Sequence, residues 1–135
     1  MEEYRITLMQ VDTKVKEELC VKVDEAEQTD YIAISAYLNG ENIVAINENY
    51  LSAFQEFRDK MFQLGYGLMC NGSRLNVIQS GMMAASDRAY LVELGKQALM
   101  KDVVHIWDYA EINIFPNSQE QKEYAEKWYS SLRRF

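Results

Sequence analysis

Residues 31–46 read YIAISAYLNGENIVAI, and this stretch decides the fold. Two β-rich runs, Tyr31–Leu38 and Ile43–Ile46, flank Asn39-Gly40, a dipeptide that accepts the two consecutive positive φ angles of a type I′ turn. The stretch predicts a β-hairpin. Directly after it the hydrophobic period lengthens: Tyr50, Leu51, Phe54, Phe57, Met61 and Phe62 recur at helical steps, with Asn47 or Asn49 as the cap and Gly65 just past the end. Burying one phenylalanine or leucine contributes roughly 1.5–3 kcal/mol, so this stripe is strong enough to anchor a helix to a sheet and reads as core.

Upstream, Tyr4, Ile6 and Leu8 alternate with polar neighbours, and Leu19, Val21 and Val23 do the same, which predicts a strand near the start and another over 18–24. The acidic run from Asp24 to Asp30 reads as a solvated loop. Downstream, Tyr66–Cys70 and Arg74–Gln79 flank Asn71-Gly72 and predict a second hairpin, weakened by Gly67 and Asn76. Arg88–Leu94 and Val103–Trp107 are further strands. A final helix opens at Pro116-Asn117-Ser118 with Ser118 and Gln121 as a capping box, and Tyr124, Ala125, Trp128, Tyr129 and Leu132 share one face. Strands and helices do not alternate regularly, so the class is α+β: one mainly antiparallel sheet of about five to seven strands with two amphipathic helices packed on it. No repeat or Pro/Gly-rich linker divides the chain, and residues 1–135 read as one globular domain.

The chain carries a net charge of -7, unevenly spread: residues 1–30 hold nine acids and four bases, whereas residues 71–100 hold two acids and three bases. This acidity repels phosphate backbones and argues against nucleic acid as a partner. The first residues lack the basic flank and apolar centre of a secretory leader, and no window approaches the roughly 18 apolar residues of a membrane span, so the expected setting is the cytoplasm with no membrane association. Cys20 and Cys70 lie far apart without CxxC spacing and read as two buried, reduced thiols.

No motif supplies catalysis, a metal or a cofactor. His105 is the only histidine and sits in an apolar run without a ligand at zinc-motif spacing. Ser80 lacks the Gly-x-Ser-x-Gly elbow, and neither glycine-rich phosphate loop is present. Two binding regions stand out instead. The acidic segment with Glu17, Glu18, Asp24, Glu25, Glu27 and Asp30, followed by Tyr31, suits a basic protein partner, because aromatics favour interface centres and complementary charge speeds encounter. Arg74, Arg88 and Lys96 in the faintly basic centre suit an anion or carboxylate.

Residues 67–83, GLMCNGSRLNVIQSGMM, and 88–111, RAYLVELGKQALMKDVVHIWDYAE, resemble small bacterial proteins of the type that serve as immunity partners of secreted polymorphic toxins. That resemblance implies a cytoplasmic protein that binds one cognate toxin domain and blocks its active site. The functional expectation is therefore a non-enzymatic protein-binding module, in its most concrete form an immunity protein that binds and blocks a cognate bacterial toxin. The alternative is a small-molecule or anion-binding regulatory domain at Arg74, Arg88 and Lys96. Strand edges at residues 31–46 leave self-association open.

Overall fold

The computed structural model describes residues 1–25 and 31–133. In chain order the elements are β1 (Glu2–Gln10), β2 (Lys16–Glu25), β3 (Ile32–Leu38), β4 (Glu41–Asn47), α1 (Tyr50–Gln63), β5 (Tyr66–Leu68), β6 (Val77–Ile78), β7 (Arg88–Leu91), β8 (Val103–His105) and α2 (Ser118–Leu132). Short 3-10 turns lie at Asn71–Ser73, Gly81–Met83 and Met100–Asp102.

The hairpin forms where its sequence places it. Asn39 and Gly40 take φ angles of 51° and 83°, the pair of positive values a type I′ turn requires, and Leu38 pairs with Glu41 across the turn. β1 to β4 make an antiparallel meander and β5 joins the free edge of β1, which gives the order β4-β3-β2-β1-β5. The chain must therefore cross from one edge of the sheet to the other between β4 and β5. Helix α1 makes that crossing. Its 14 residues span about 21 Å at about 1.5 Å each, and five strands at about 4.8 Å spacing span about 19 Å. One helix is long enough to cover the sheet, and Phe54, Phe57 and Met61 are fully buried beneath it against Leu8, Val21 and Ile34. Lys60 on α1 donates to the Val44 carbonyl at 2.6 Å, blunting the open edge of β4.

The single sheet expected from the sequence is replaced by two. A second, three-stranded antiparallel sheet has the order β6-β7-β8. The difference arises at Asn71-Gly72, which turns no hairpin: both residues belong to a 3-10 turn, and Gly72 is absent from the positive-φ glycines. Residues 69–72 pair instead with 106–110, through Asn71 N to Asp108 O at 2.9 Å, Gly72 N to Ile106 O at 3.0 Å and Ala110 N to Met69 O at 3.1 Å. A Cβ at Gly72 would sit 2.7 Å from both Ile106 Cγ2 and Phe54 Cε1. The glycine is there for close approach between the second sheet and α1.

Further expectations shift for local reasons. β2 begins at Lys16 and runs through Asp24 and Glu25, so those two acids are strand residues; Glu27 and Asp30 lie outside the described residues. Cys20 is exposed, because it sits on the outward parity of β2 between Leu19 and Val21, whereas Cys70 is buried. Burial pushes the Cys70 thiol up to about 12. The strand at Arg88 ends at Leu91, and the one at Val103 ends at His105. The α2 capping box uses Asn117 and Glu120, one residue earlier than Ser118 and Gln121, with Glu120 N donating to Asn117 Oδ1 at 2.8 Å.

That shift frees Ser118 and Gln121 for a buried network. Arg58, 1% exposed, donates to Gln121 Oε1 at 2.8 Å, to Asp59 Oδ1 at 3.1 Å and to Ser118 Oγ at 3.3 Å. Gln121 passes its own amide hydrogens to the carbonyls of Gly72 and Arg74 at 2.9 and 2.8 Å. Further along α2, Trp128 packs with Ile78 and Val92 and donates to the Lys96 carbonyl at 2.9 Å. Helix α2 thus fastens to α1 by polar contacts and to the small sheet by apolar ones.

Substituting Gly72 by alanine forces either Phe54 or Ile106 out of place. The expected loss is about 1–3 kcal/mol of unfolding free energy, measured by urea titration, the range typical of overpacking in a filled core. A Gly81→Ala substitution, with nothing within 4 Å of its built Cβ, is expected to leave the midpoint nearly unchanged.

Candidate functional site

The acids of β2 are not one patch. Along the strand the inward positions Leu19, Val21 and Val23 are buried, and the acids occupy outward positions and the two ends. Glu17 and Glu25 are eight residues apart, about 26 Å in an extended strand. Glu17 accepts from Gln10 at one end of the sheet. Asp24 and Glu25 lie at the other, where Glu25 pairs with Ile32 and so brings Tyr31, 41% exposed, to the same end.

At that second end the register of β1 against β2 sets Glu2 opposite Val23. The start of α1 and the segment before β7 close in from the other side. The result is a cleft of about 410 Å³ lined by Glu2, Tyr4, Asp24, Glu25, Tyr50 and Asp87, with Met1, Val23, Ala85 and Ser86 completing the wall. Four carboxylates face it, and none of its described lining side chains is a lysine or arginine. The Met1 amine stands 4.0 Å from Asp24.

The wall of the cleft is aromatic and held from behind by Trp107. The indole stacks on Tyr4 at 5.5 Å between centroids and meets Phe54 edge-on at 5.1 Å. Its Nε1–H donates to the Tyr50 hydroxyl at 2.7 Å, and the Tyr4 hydroxyl donates to Glu2. Burial pushes the Tyr50 phenol up to about 12, against the opposing effect of its contacts with Trp107 and Tyr4 and with help from the nearby Asp87 and Glu2 charges. Tyr4 is raised as well, first by desolvation and then by its bond to Glu2.

Asp87 also meets a residue outside the cleft, His105. His105, whose register partner on β7 is Arg88, places Nδ1 3.0 Å from Asp87 Oδ2. The hydroxyl beside this pair, Ser86 Oγ, already donates to the Met83 carbonyl at 3.0 Å. No group of three His, Cys, Asp or Glu among the described residues could hold a metal ion.

The expected basic site is not assembled. Arg74 is tied to Asn71 Oδ1 at 3.1 Å, Arg88 opens β7 opposite His105, and Lys96 pairs with Glu93 at 2.9 Å. Lys96 and Lys101 do line a cleft of about 430 Å³, but Glu93 and Asp102 line it too, and neither arginine does. Charges there balance locally.

Of the acids singled out from sequence, the cleft gathers Asp24 and Glu25, and it adds Glu2, Tyr4, Tyr50 and Asp87. The acidic first third was a usable signal for Glu2. Tyr50 was legible only as core, and Asp87 arrives from 60 residues downstream of β2 by a topology the sequence does not spell out. No protein-family model matches this chain, and no curated protein matches it in sequence.

The tyrosine shift predicts an alkaline limit. Tyr50 titrates near 10 when unfolded and near 12 when folded, so above about pH 10 the unfolded state holds fewer protons and stability falls as pH rises toward 12. Tyr50→Phe is expected to cost about 0.5–1.5 kcal/mol near neutrality through the lost Trp107 acceptor. It is also expected to make the decline between those pH values shallower, leaving the contributions of Tyr4 and Cys70, read from urea midpoints across the alkaline range.

Proposed function

We propose that this chain is a non-enzymatic protein-binding module whose contact surface centres on the acidic cleft and accepts a basic side chain of its partner. One observation carries the reading: four carboxylates line one cleft together with Tyr4 and Tyr50, and none of its described lining residues is a lysine or arginine. A lysine or arginine entering it meets opposite charge on carboxylates from three separate segments of the chain. The aromatic wall is already fixed by Trp107, so little side-chain entropy is lost on binding. Tyr31, exposed at the same end, extends the contact surface.

The acidic charge of the first third steers a basic partner toward this end and raises the encounter rate. The resemblance of residues 67–111 to immunity partners of polymorphic toxins makes a basic toxin domain the most concrete candidate. In that reading the module occludes the toxin's active site by engaging a basic residue there.

Nona-arginine serves as a probe before any partner is in hand. The double substitution Asp24→Asn/Glu25→Gln is expected to weaken its binding about three- to tenfold at low salt, from two exposed charges worth up to about 1 kcal/mol each. Glu17→Gln/Glu18→Gln, at the far end of β2, removes the same charge and is expected to change affinity far less. Equal losses in calorimetric titrations of the two variants would mean that net charge alone attracts the peptide and that the cleft is not its site.

A further inference from the structure

Asp87 belongs to the cleft and His105 does not, so the imidazole acts on the cleft only through the carboxylate it touches. We propose that His105 is a proton-operated attenuator of the acidic cleft, an inference that rests on the cleft being the contact surface for a cationic partner.

With Nδ1 3.0 Å from Oδ2, a neutral imidazole that donates its Nδ1 hydrogen leaves Asp87 with its full negative charge. Protonation adds a positive charge on the ring, and the pair as seen from the cleft becomes neutral. The geometry does not have to change. Ile106 N donates to the Asp87 carbonyl at 2.7 Å, and the Gln79 amide holds the carbonyls of Met83, Ser86 and Arg88 at 3.1, 2.8 and 2.8 Å, so the segment carrying Asp87 is fixed by its backbone. The imidazole is half exposed, at 50%, so solvent delivers the proton directly.

The charged groups on the elements around His105 are few. Arg88 faces it in register from β7, and Asp108 follows it, donating its backbone N–H to the His105 carbonyl at 3.2 Å. Arg74 is tethered to Asn71, whose side chain also bonds that carbonyl, and Glu2 stands with Asp87 in the cleft. His105 is the only histidine in the chain, and histidine is the side chain whose ordinary titration falls between pH 5 and 8.

A unit charge added about 8 Å from a bound cation, at a dielectric between those of a protein surface and water, weakens binding about fivefold. By reciprocity a bound cation that is weakened by protonation of His105 opposes that protonation to the same extent. A lone histidine makes this directly readable by NMR. The ring of His105 is titrated in the full chain, with and without saturating nona-arginine, while the Tyr4 and Tyr50 ring signals report whether the cleft is occupied. In parallel, His105→Gln keeps a donor for Asp87 and cannot be charged.

The expected result is a midpoint lowered by the peptide, together with wild-type binding that weakens about fivefold between about pH 7.5 and about pH 5.5 and His105→Gln binding that does not. Tyrosine signals that respond while the His105 midpoint stays fixed overturn this inference and leave the cleft reading standing. So does a His105→Gln variant with the wild-type pH dependence. A peptide that moves neither the tyrosines nor His105 overturns the cleft reading and this inference with it.

Discussion

Trp107 is the contact on which the arrangement turns. It packs against Tyr4 of β1 and Phe54 of α1, donates to Tyr50 at the start of α1, and sits in the segment that bonds residues 69–72. The five-stranded sheet, the crossing helix and the small sheet therefore meet at one side chain. A buried tryptophan needs a partner for its N–H, and the partner here is a phenol that is itself buried. Satisfying the indole fixes Tyr50, and stacking against the other face fixes Tyr4, so the wall of the cleft follows from the packing of the core.

The second fastening is polar and its energetics differ. Desolvation lowers the Arg58 pKa, and the Asp59 carboxylate works against that loss. A buried charge of this kind costs several kcal/mol in desolvation and regains it only where every donor is matched. Arg58 is matched on Asp59, Gln121 and Ser118, and Gln121 is matched in turn on two backbone carbonyls. Such a network adds little net stability over a greasy contact. It does specify where α2 sits, because a slip of one residue along α2 would strand Arg58 and two carbonyls together.

How much of this could be read from the residues depended on the range of the interaction. Asn39-Gly40 and the stripe from Tyr50 to Met61 were legible because turn chemistry and helical period act within a few residues. Asn71-Gly72 misled for the same reason: the dipeptide is a good turn former, but Gly72 is needed for its missing side chain against Phe54 and Ile106, a tertiary demand with no local signature. Treating it as a turn merged two sheets into one. In the candidate site, Asp24 and Glu25 were visible as acids near a strand end. Nothing local tied them to Asp87 or told them apart from Glu17 and Glu18. The basic trio Arg74, Arg88 and Lys96 was grouped by sequence proximity, whereas the fold gives each its own neighbour: Arg74 bonds Asn71, Arg88 opens β7 opposite His105, and Lys96 pairs with Glu93.

The cleft itself departs from what stability alone favours. Like charges brought together repel, and Glu2, Asp24, Glu25 and Asp87 are brought together by strand register and by a chain reversal that could have carried neutral residues equally well. The structure relieves part of the repulsion from outside: Tyr4 donates to Glu2, His105 faces Asp87, and the Met1 amine stands near Asp24. Of these partners the Met1 amine belongs to the cleft wall, whereas His105 lies outside its lining. The grouping of these acids is thus set by register and chain path and offset in part by neighbours, and it is the feature on which the proposed cationic partner rests.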